Sequence, residues 1–298
     1  MERRSKPMGV LVSLRPEQWT KNFIVFAALI FARRLLDPAA VALALAAFLT
    51  FCGLSGAVYL FNDVSDRESD RRHPLKSRRP IASGVLSAET ALGWAAVLTG
   101  AGLGLAFWLQ PGFGWTAFAY VVLQAAYSRW LKHIVILDVM AIAAGFVLRA
   151  VGGGLVISVP VSDWLLVCTI LLALFLAFSK RRHELTLLAA GAAGHRRILE
   201  EYDPYLLDQM IAVVAASTLV AYIIYCLSSE TAERFGTRWL VLTVPFPIYG
   251  IFRYLYIVHR KDGGGNPSAM LLKDRPLLAC VALWGLTVVA IIYRPFGS

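Results

Sequence analysis

The residues best suited to chemistry lie in one run, Asn62-Asp63-Val64-Ser65-Asp66-Arg67-Glu68-Ser69-Asp70, directly after an apolar stretch ending in Tyr59-Leu60-Phe61. If the helix continues through this run, Asn62, Asp66 and Asp70 fall at i, i+4 and i+8 on one face, and Asp63 flanks them. Carboxylates stacked in this way repel one another unless a divalent cation bridges them. Oxygen-only ligands favour Mg²⁺ over zinc, and Mg²⁺ combines one or two carboxylates with water and substrate phosphates. The run is followed by Lys76, Arg78, Arg79-Pro80 and Gly84. Acids for a metal and bases for phosphate oxygens in one loop describe a diphosphate site. The plainer alternative is a solvated helix end whose acids are neutralised by Arg67, Arg71 and Arg72.

Other polar residues carry weaker signals. Asp138 and Arg149 share one apolar segment, three turns apart along a face. Ionisable groups inside a membrane face a cavity or one another, so this pair either serves the site or is structural. Lys21 follows Trp19 at the edge of an apolar segment, where it is a phosphate ligand or an interfacial anchor. The histidines (His73, His133, His183, His195 and His259) show no metal-ligand spacing, and His183-Glu184 lacks the second His of a zinc-protease motif. Cys52, Cys168, Cys226 and Cys280 sit in separate apolar segments and read as small core residues, without a disulfide framework. No Ser/His/Asp or Cys/His nucleophile constellation is present.

These residues must be held by membrane-spanning helices. Hydrophobic residues make up 58% of the 298-residue chain, charged residues only 16%, and the mean hydropathy is +0.64. A soluble domain needs more charge to cover its surface. About nine candidate spans lie near 22–32, 41–61, 87–107, 113–127, 134–151, 164–178, 209–228, 239–258 and 277–293. The fold class expected is an all-α, polytopic bundle forming a single domain over 1–298. With the N-terminus inside, cytoplasmic segments hold 23 Lys and Arg residues and external ones hold 5: Arg33, Arg34, Arg234, Arg238 and Arg294. That asymmetry sets the orientation. It also accounts for most of the +10 net charge without a nucleic-acid partner. The N-terminus shows no small-residue cleavage site after an apolar core, so no cleaved leader is expected. Loops 62–86, 128–134, 179–208 and 259–276 then face the cytoplasm, where the chemistry belongs. External loops such as Gly152-Gly153-Gly154 look chemically plain, and Gly263-Gly264-Gly265 reads as a flexible connector.

The spacing Asn62-Asp63-x-x-Asp66-x-x-x-Asp70, followed by Arg79-Pro80-x-x-x-Gly84, resembles the first aspartate-rich motif of the UbiA superfamily of intramembrane prenyltransferases. Tyr127-Ser128-x-x-x-Lys132 with Asp138 resembles its second block, and the likeness covers nearly the whole chain. Finer features resemble one branch, the decaprenyl-phosphate phosphoribosyltransferases. They are Leu14-Arg15-Pro16-x-Gln18-Trp19-x-Lys21-Asn22, Leu131-Lys132-His133 with Leu137-Asp138, Gly145-Phe146-x-x-Arg149-Ala150-x-Gly152-Gly153, and Ser179-Lys180-Arg181-Arg182-x-Glu184-Leu185. That branch implies transfer of 5-phosphoribose from phosphoribosyl pyrophosphate to a polyprenyl phosphate lipid for arabinan precursors of the cell envelope, in a bacterial plasma membrane. Prenyltransferases of the superfamily carry a second aspartate-rich loop. The corresponding loop here opens with Lys180-Arg181-Arg182, later has Arg196-Arg197, and its acids Glu200, Glu201, Asp203 and Asp208 lack the regular spacing. A cluster of bases suits additional phosphates held directly by Arg and Lys.

Residues and resemblance together assign Mg²⁺ to Asn62, Asp66 and Asp70, and catalysis to Asp66, Asp70, Lys21 and Lys132. They assign substrate contacts to Asn22, Asp63, Lys76, Arg78, Arg79, Tyr127, Asp138, Arg149, Lys180, Arg181 and Arg182. The number of metal ions and the lipid length stay open, and a homo-oligomer is compatible with the sequence. Two other functions stay open: a prenyltransferase acting on an aromatic acceptor, and a transporter without covalent chemistry. The orientation is testable directly. A cysteine introduced in loop 62–84 is expected to react only from the cytoplasmic side, and one near Gly112 only from outside. Labelling of the first site on intact cells by an impermeant reagent reverses the topology.

Overall fold

The computed structural model of the protein describes residues 6–72, 76–189, 197–260 and 265–293. Arg3, Arg4, His73, His195, Arg196, Lys261, Gly263, Gly264 and Arg294 lie outside them, as do the side chains of Lys6, Arg197 and Glu200. Thirteen α-helices follow in order: α1 (Lys6–Ser13), α2 (Val25–Phe31), α3 (Pro38–Ser65), α4 (Arg67–Arg72), α5 (Ala88–Leu109), α6 (Pro111–Arg129), α7 (Leu137–Val156), α8 (Asp163–Ala189), α9 (Pro204–Leu227), α10 (Ser229–Phe235), α11 (Pro245–Arg260), α12 (Pro267–Lys273) and α13 (Arg275–Tyr293). Short 3-10 turns join several of them, the longest at Pro16–Ile24 before α2. Helix starts repeat one device, a capping side chain followed by proline at the first helical position. Asp37-Pro38, Gln110-Pro111, Asp203-Pro204 and Asn266-Pro267 all use it.

Among the described residues, seven helical stretches are long and apolar enough to cross a membrane, fewer than the nine expected. The first expected span divides into the 3-10 turn and the seven-residue α2. The fourth becomes α6, whose Gln124, tyrosines and glycines dilute its apolarity. Outward faces carry bare apolar side chains such as Leu49, Val97 and Leu286. Exposed Trp108, Trp115 and Trp239 sit near helix ends, where indole rings mark membrane interfaces.

The bundle has two packed halves. In the first, Val25 and Leu29 of α2, Ala44, Ala47 and Phe51 of α3, and Phe113 and Tyr120 of α6 form a buried cluster. The Phe51 ring meets Phe113 and Tyr120 edge-on, with centroids 5.8 and 5.5 Å away. In the second, Phe175 of α8, Ile211 of α9, Ile251 and Tyr254 of α11, and Leu277 of α13 form another. Gly152-Gly153-Gly154, expected in an external loop, instead lies inside α7 and is buried. A Cβ on Gly153 would stand 2.2 Å from the Val25 carbonyl oxygen, and one on Gly154 2.3 Å from a Val161 methyl. In lipid, helices associate through such close backbone approach rather than through water exclusion.

At the other end of α7 a buried polar knot fixes four segments. Asp138 and Arg181 are both 0% exposed, and Arg181 Nε donates to Asp138 Oδ2 at 2.6 Å. Arg181 also donates to Glu184 and, at 3.3 Å, to Tyr127 Oη. The Tyr202 hydroxyl donates to Asp138 Oδ1 at 2.8 Å and accepts the Ile136 N–H at 2.8 Å. Ile136 holds φ at +68°, a costly conformation for a β-branched residue that this bond stabilises. Removing one partner of a buried ion pair costs about 3–5 kcal/mol. Arg181→Ala is therefore expected to lower thermal stability and yield in detergent, whereas Arg182→Ala, at a partly exposed pair, leaves them nearly unchanged. Equal melting of both variants and the parent would show that the knot is dispensable.

Candidate active site

Between the two halves runs a cavity of about 1060 Å³. Where α3 meets α4 its walls carry Arg15, Lys21, Asn62, Asp63, Asp66, Asp70, Lys76, Arg79, Lys132 and Lys180. Farther in the lining turns apolar, with Phe31, Leu172, Phe175, Ile251, Val281 and Trp284. It ends among Trp164 and Leu165 at the start of α8 and Tyr225 near the end of α9. A charged mouth thus opens into an apolar shaft that traverses the bundle.

The acidic run keeps its helical register across a break. α3 ends at Ser65 and α4 begins at Arg67, yet Asp66 N–H donates to Asn62 O and Asp70 N–H to Asp66 O, each at 2.8 Å. Asn62, Asp66 and Asp70 consequently all face the cavity. Two arginines from elsewhere neutralise the acids. Arg15 Nη2 lies 2.5 Å from Asp63 Oδ1, and Arg79 Nη1 bridges Asp63 at 3.1 Å and Asp70 at 2.6 Å. Arg15 also stacks on the Tyr59 ring, 4.7 Å from its centroid. Arg71, named in the plainer alternative, pairs with Glu68 and the Ala82 carbonyl rather than with Asp63, Asp66 or Asp70. Asp66 has no side-chain partner among the described residues.

Lys21 and Arg149 meet deeper in. Arg149 is 5% exposed and donates to Asn22 Oδ1 at 2.6 Å, Gly145 O at 2.8 Å and Tyr120 Oη at 2.8 Å. It does not pair with Asp138, which Arg181 occupies. Lys21 stands near the Arg149 and Arg15 guanidiniums. Asn22 lies behind the cavity wall, 1% exposed, against Cys52 and Ser55.

Of the expected substrate contacts, Asp63, Lys76, Arg79, Tyr127, Arg149 and Lys180 line the cavity, as do Lys21 and Lys132. Asp138 and Arg181 do not reach it, since their buried knot uses their polar atoms. They hold Tyr127 and, through Tyr202, the Ile136 backbone instead. Arg182 pairs at 2.9 Å with Asp208, which His259 also approaches. Asp203 caps α9. Arg78 faces a separate small polar pocket beside Arg15 and Arg79. Sequence reasoning left out Arg15, Gln18, Tyr59, Tyr120, Gln124, His133 and Asn266 as site residues, although Arg15 and Gln18 sat within a motif that marked them. Gln18 Nε2 donates to Asn266 Oδ1 at 3.1 Å, joining the N-terminal segment to the start of α12 across the mouth.

The arrangement suits Mg²⁺ shared with a phosphate ligand rather than a protein cage. Among the described residues no three His, Cys, Asp or Glu side chains form a metal cage. Asn62 and the unpartnered Asp66 carboxylate offer oxygens to the cavity, and Mg²⁺ completes its shell with water and phosphate. The cations around them can hold the remaining phosphate oxygens.

Comparison with known proteins agrees with this architecture. Residues 22–273 match the UbiA prenyltransferase family. The decaprenyl-phosphate phosphoribosyltransferase of Mycolicibacterium smegmatis is 35% identical, covering 96% of this chain and 92% of that protein. The proteins of that name from Corynebacterium glutamicum and Mycobacterium tuberculosis are 34% and 33% identical, over 96% and 95% of this chain and 87% and 94% of theirs. A UbiA homolog from Archaeoglobus fulgidus, solved bound to DMAPP and Mg²⁺, shares the fold with a TM-score of 0.72 at 19% identity, over 97% of this chain and 99% of that one. The chain is a multi-pass membrane protein that belongs to the UbiA prenyltransferase family.

Proposed function

We propose that this protein transfers 5-phosphoribose from phosphoribosyl pyrophosphate to a polyprenyl phosphate, decaprenyl phosphate by analogy with its relatives, and releases pyrophosphate. The observation that carries this reading is the continuity of the cavity. A mouth lined by carboxylates and cations accepts a polyphosphorylated, water-soluble donor, and the apolar shaft accepts a lipid chain. Identity of 33–35% to phosphoribosyltransferases over nearly the whole chain supports the same donor.

The reaction exchanges one bond at the anomeric carbon. An oxygen of the acceptor phosphate forms a bond to that carbon as its bond to the diphosphate oxygen breaks, and the leaving diphosphate takes the electron pair. The acceptor is already an anion, so no general base is required. Mg²⁺, which Asn62, Asp66 and Asp70 would hold, supplies a Lewis acid that improves the leaving group. Arg79 and Arg15 keep Asp63 and Asp70 in place while preventing mutual repulsion. Lys76, Lys132 and Lys180 at the mouth stabilise charge as the diphosphate departs. Catalysis is then largely positioning and electrostatics. The basic-residue asymmetry supports a mouth facing the cytoplasm of a bacterial cell, where a soluble sugar donor is made.

The test is an assay with radiolabelled phosphoribosyl pyrophosphate, polyprenyl phosphate and Mg²⁺, following label into the lipid phase. The parent is expected to transfer label. Asp66→Asn is expected to lose at least about a hundredfold in kcat/KM while staying folded in the membrane, because only charge and metal affinity change. Full activity of Asp66→Asn at limiting Mg²⁺ removes it from the site. Transfer from a prenyl diphosphate to an aromatic acceptor, with none from the sugar donor, replaces the reading.

A further inference from the structure

The cations of the cavity stand at two levels with different electrostatic surroundings. At the mouth, Arg15 and Arg79 are bound to Asp63 and Asp70, so much of their charge is already answered. Deeper in, Arg149 and Lys21 form no ion pair with any described carboxylate. The recorded acceptors of Arg149 are an amide oxygen, a backbone carbonyl and a tyrosine hydroxyl, all neutral. Those bonds orient the guanidinium against the Tyr120 ring, 4.5 Å from its centroid, and engage three of its five N–H groups. Arg149 and Lys21 both line the cavity.

A carboxylate-free cation pair within the membrane bundle, Arg149 buried and Lys21 half-buried, is costly unless an anion joins it. The level of this pair is fixed by its neighbours. Asn22, which accepts from Arg149, donates to Ser55 at 3.5 Å, and Ser55 lies seven residues before Asn62 on α3. That separation is about 10 Å of helix rise. Beyond the pair the lining is apolar toward the start of α8, with Leu165, Cys168 and Leu172.

Resting on the function proposed above, we infer that Arg149 and Lys21 form an inner anion seat for the phosphate monoester of the acceptor lipid, whose chain runs on into the apolar shaft. The donor diphosphate then occupies the acid-lined mouth. The sugar lies between the two levels, with its anomeric carbon presented to the inner phosphate and its leaving group pointing outward. Two anions of like charge are thereby held apart by separate sets of cations. A lipid bearing its phosphate at this depth is distinguished from the same lipid as a neutral alcohol.

The test measures binding of each substrate alone to the full-length protein in detergent. Geranylgeranyl phosphate is titrated without Mg²⁺ or donor, geranylgeraniol serves as the neutral control, and phosphoribosyl pyrophosphate is titrated with Mg²⁺. Arg149→Gln and Lys21→Gln are expected to weaken lipid-phosphate binding about ten- to a hundredfold. Binding of the alcohol and of the sugar donor should stay within about twofold of the parent. Lys21→Gln keeps the test open if the buried Arg149→Gln fails to fold. Loss of donor binding with lipid-phosphate binding intact places the sugar's phosphates in the seat and overturns the inference, as does an unchanged affinity for both. Parent protein that transfers no phosphoribose defeats the functional reading separately, because the lipid-phosphate titration needs no turnover.

Discussion

Charge inside a bilayer has no water to fall back on, and this constraint organises the bundle. Asp138 and Arg181 meet it by answering each other, with Tyr202, Glu184 and Tyr127 using their remaining hydrogen-bonding capacity. That satisfied knot joins the end of α6, the start of α7, the end of α8 and the segment before α9. Arg149, on the same helix face as Asp138, meets the constraint only in part, through neutral acceptors. One charged pair thus closes the architecture, and the other charge stays available to the cavity.

The mouth is organised on a related principle. Four oxygen-bearing side chains crowd the junction of α3 and α4, and two arginines supplied from other segments hold the crowd together. Arg15 comes from the N-terminal segment and Arg79 from beyond the 3-10 turn at Lys76–Arg78. The acidic motif is therefore a tertiary object, assembled from three stretches of chain. Its least constrained member, Asp66, sits at the helix break, where its carboxylate is free of protein partners among the described residues.

Much of this was legible in the sequence. Apolar blocks between charge clusters located most of the spans, and the i, i+4, i+8 pattern put Asn62, Asp66 and Asp70 on one wall. The acidic spacing and Arg79-Pro80 also carried the family resemblance. What local pattern could not convey was partnership. Asp138 lies eleven residues from Arg149 on one face but forty-three from Arg181, and only the packing of α7 on α8 decides between them. The same limit assigned Arg181 to substrate, when it is sealed in the knot. Gly152-Gly153-Gly154 was read as a loop because glycine clusters usually mark turns in water, whereas here glycine serves close helix contact. Tyr59 and Tyr120 gave no signal, being aromatic residues within apolar runs.

The contact between Gly153 and the Val25 carbonyl has a mechanical meaning. Backbone against backbone leaves no side chain to rotate or compress, so α2 has almost no compliance where it crosses α7. Lys21 is one helical turn upstream of Val25 on the same rigid piece of chain, and Arg149 is one turn before Gly153 on the other. The contact point works as the fulcrum of a pair of tweezers whose tips are the two inner cations. Their separation is therefore set by the chain itself, at a contact outside the cavity lining.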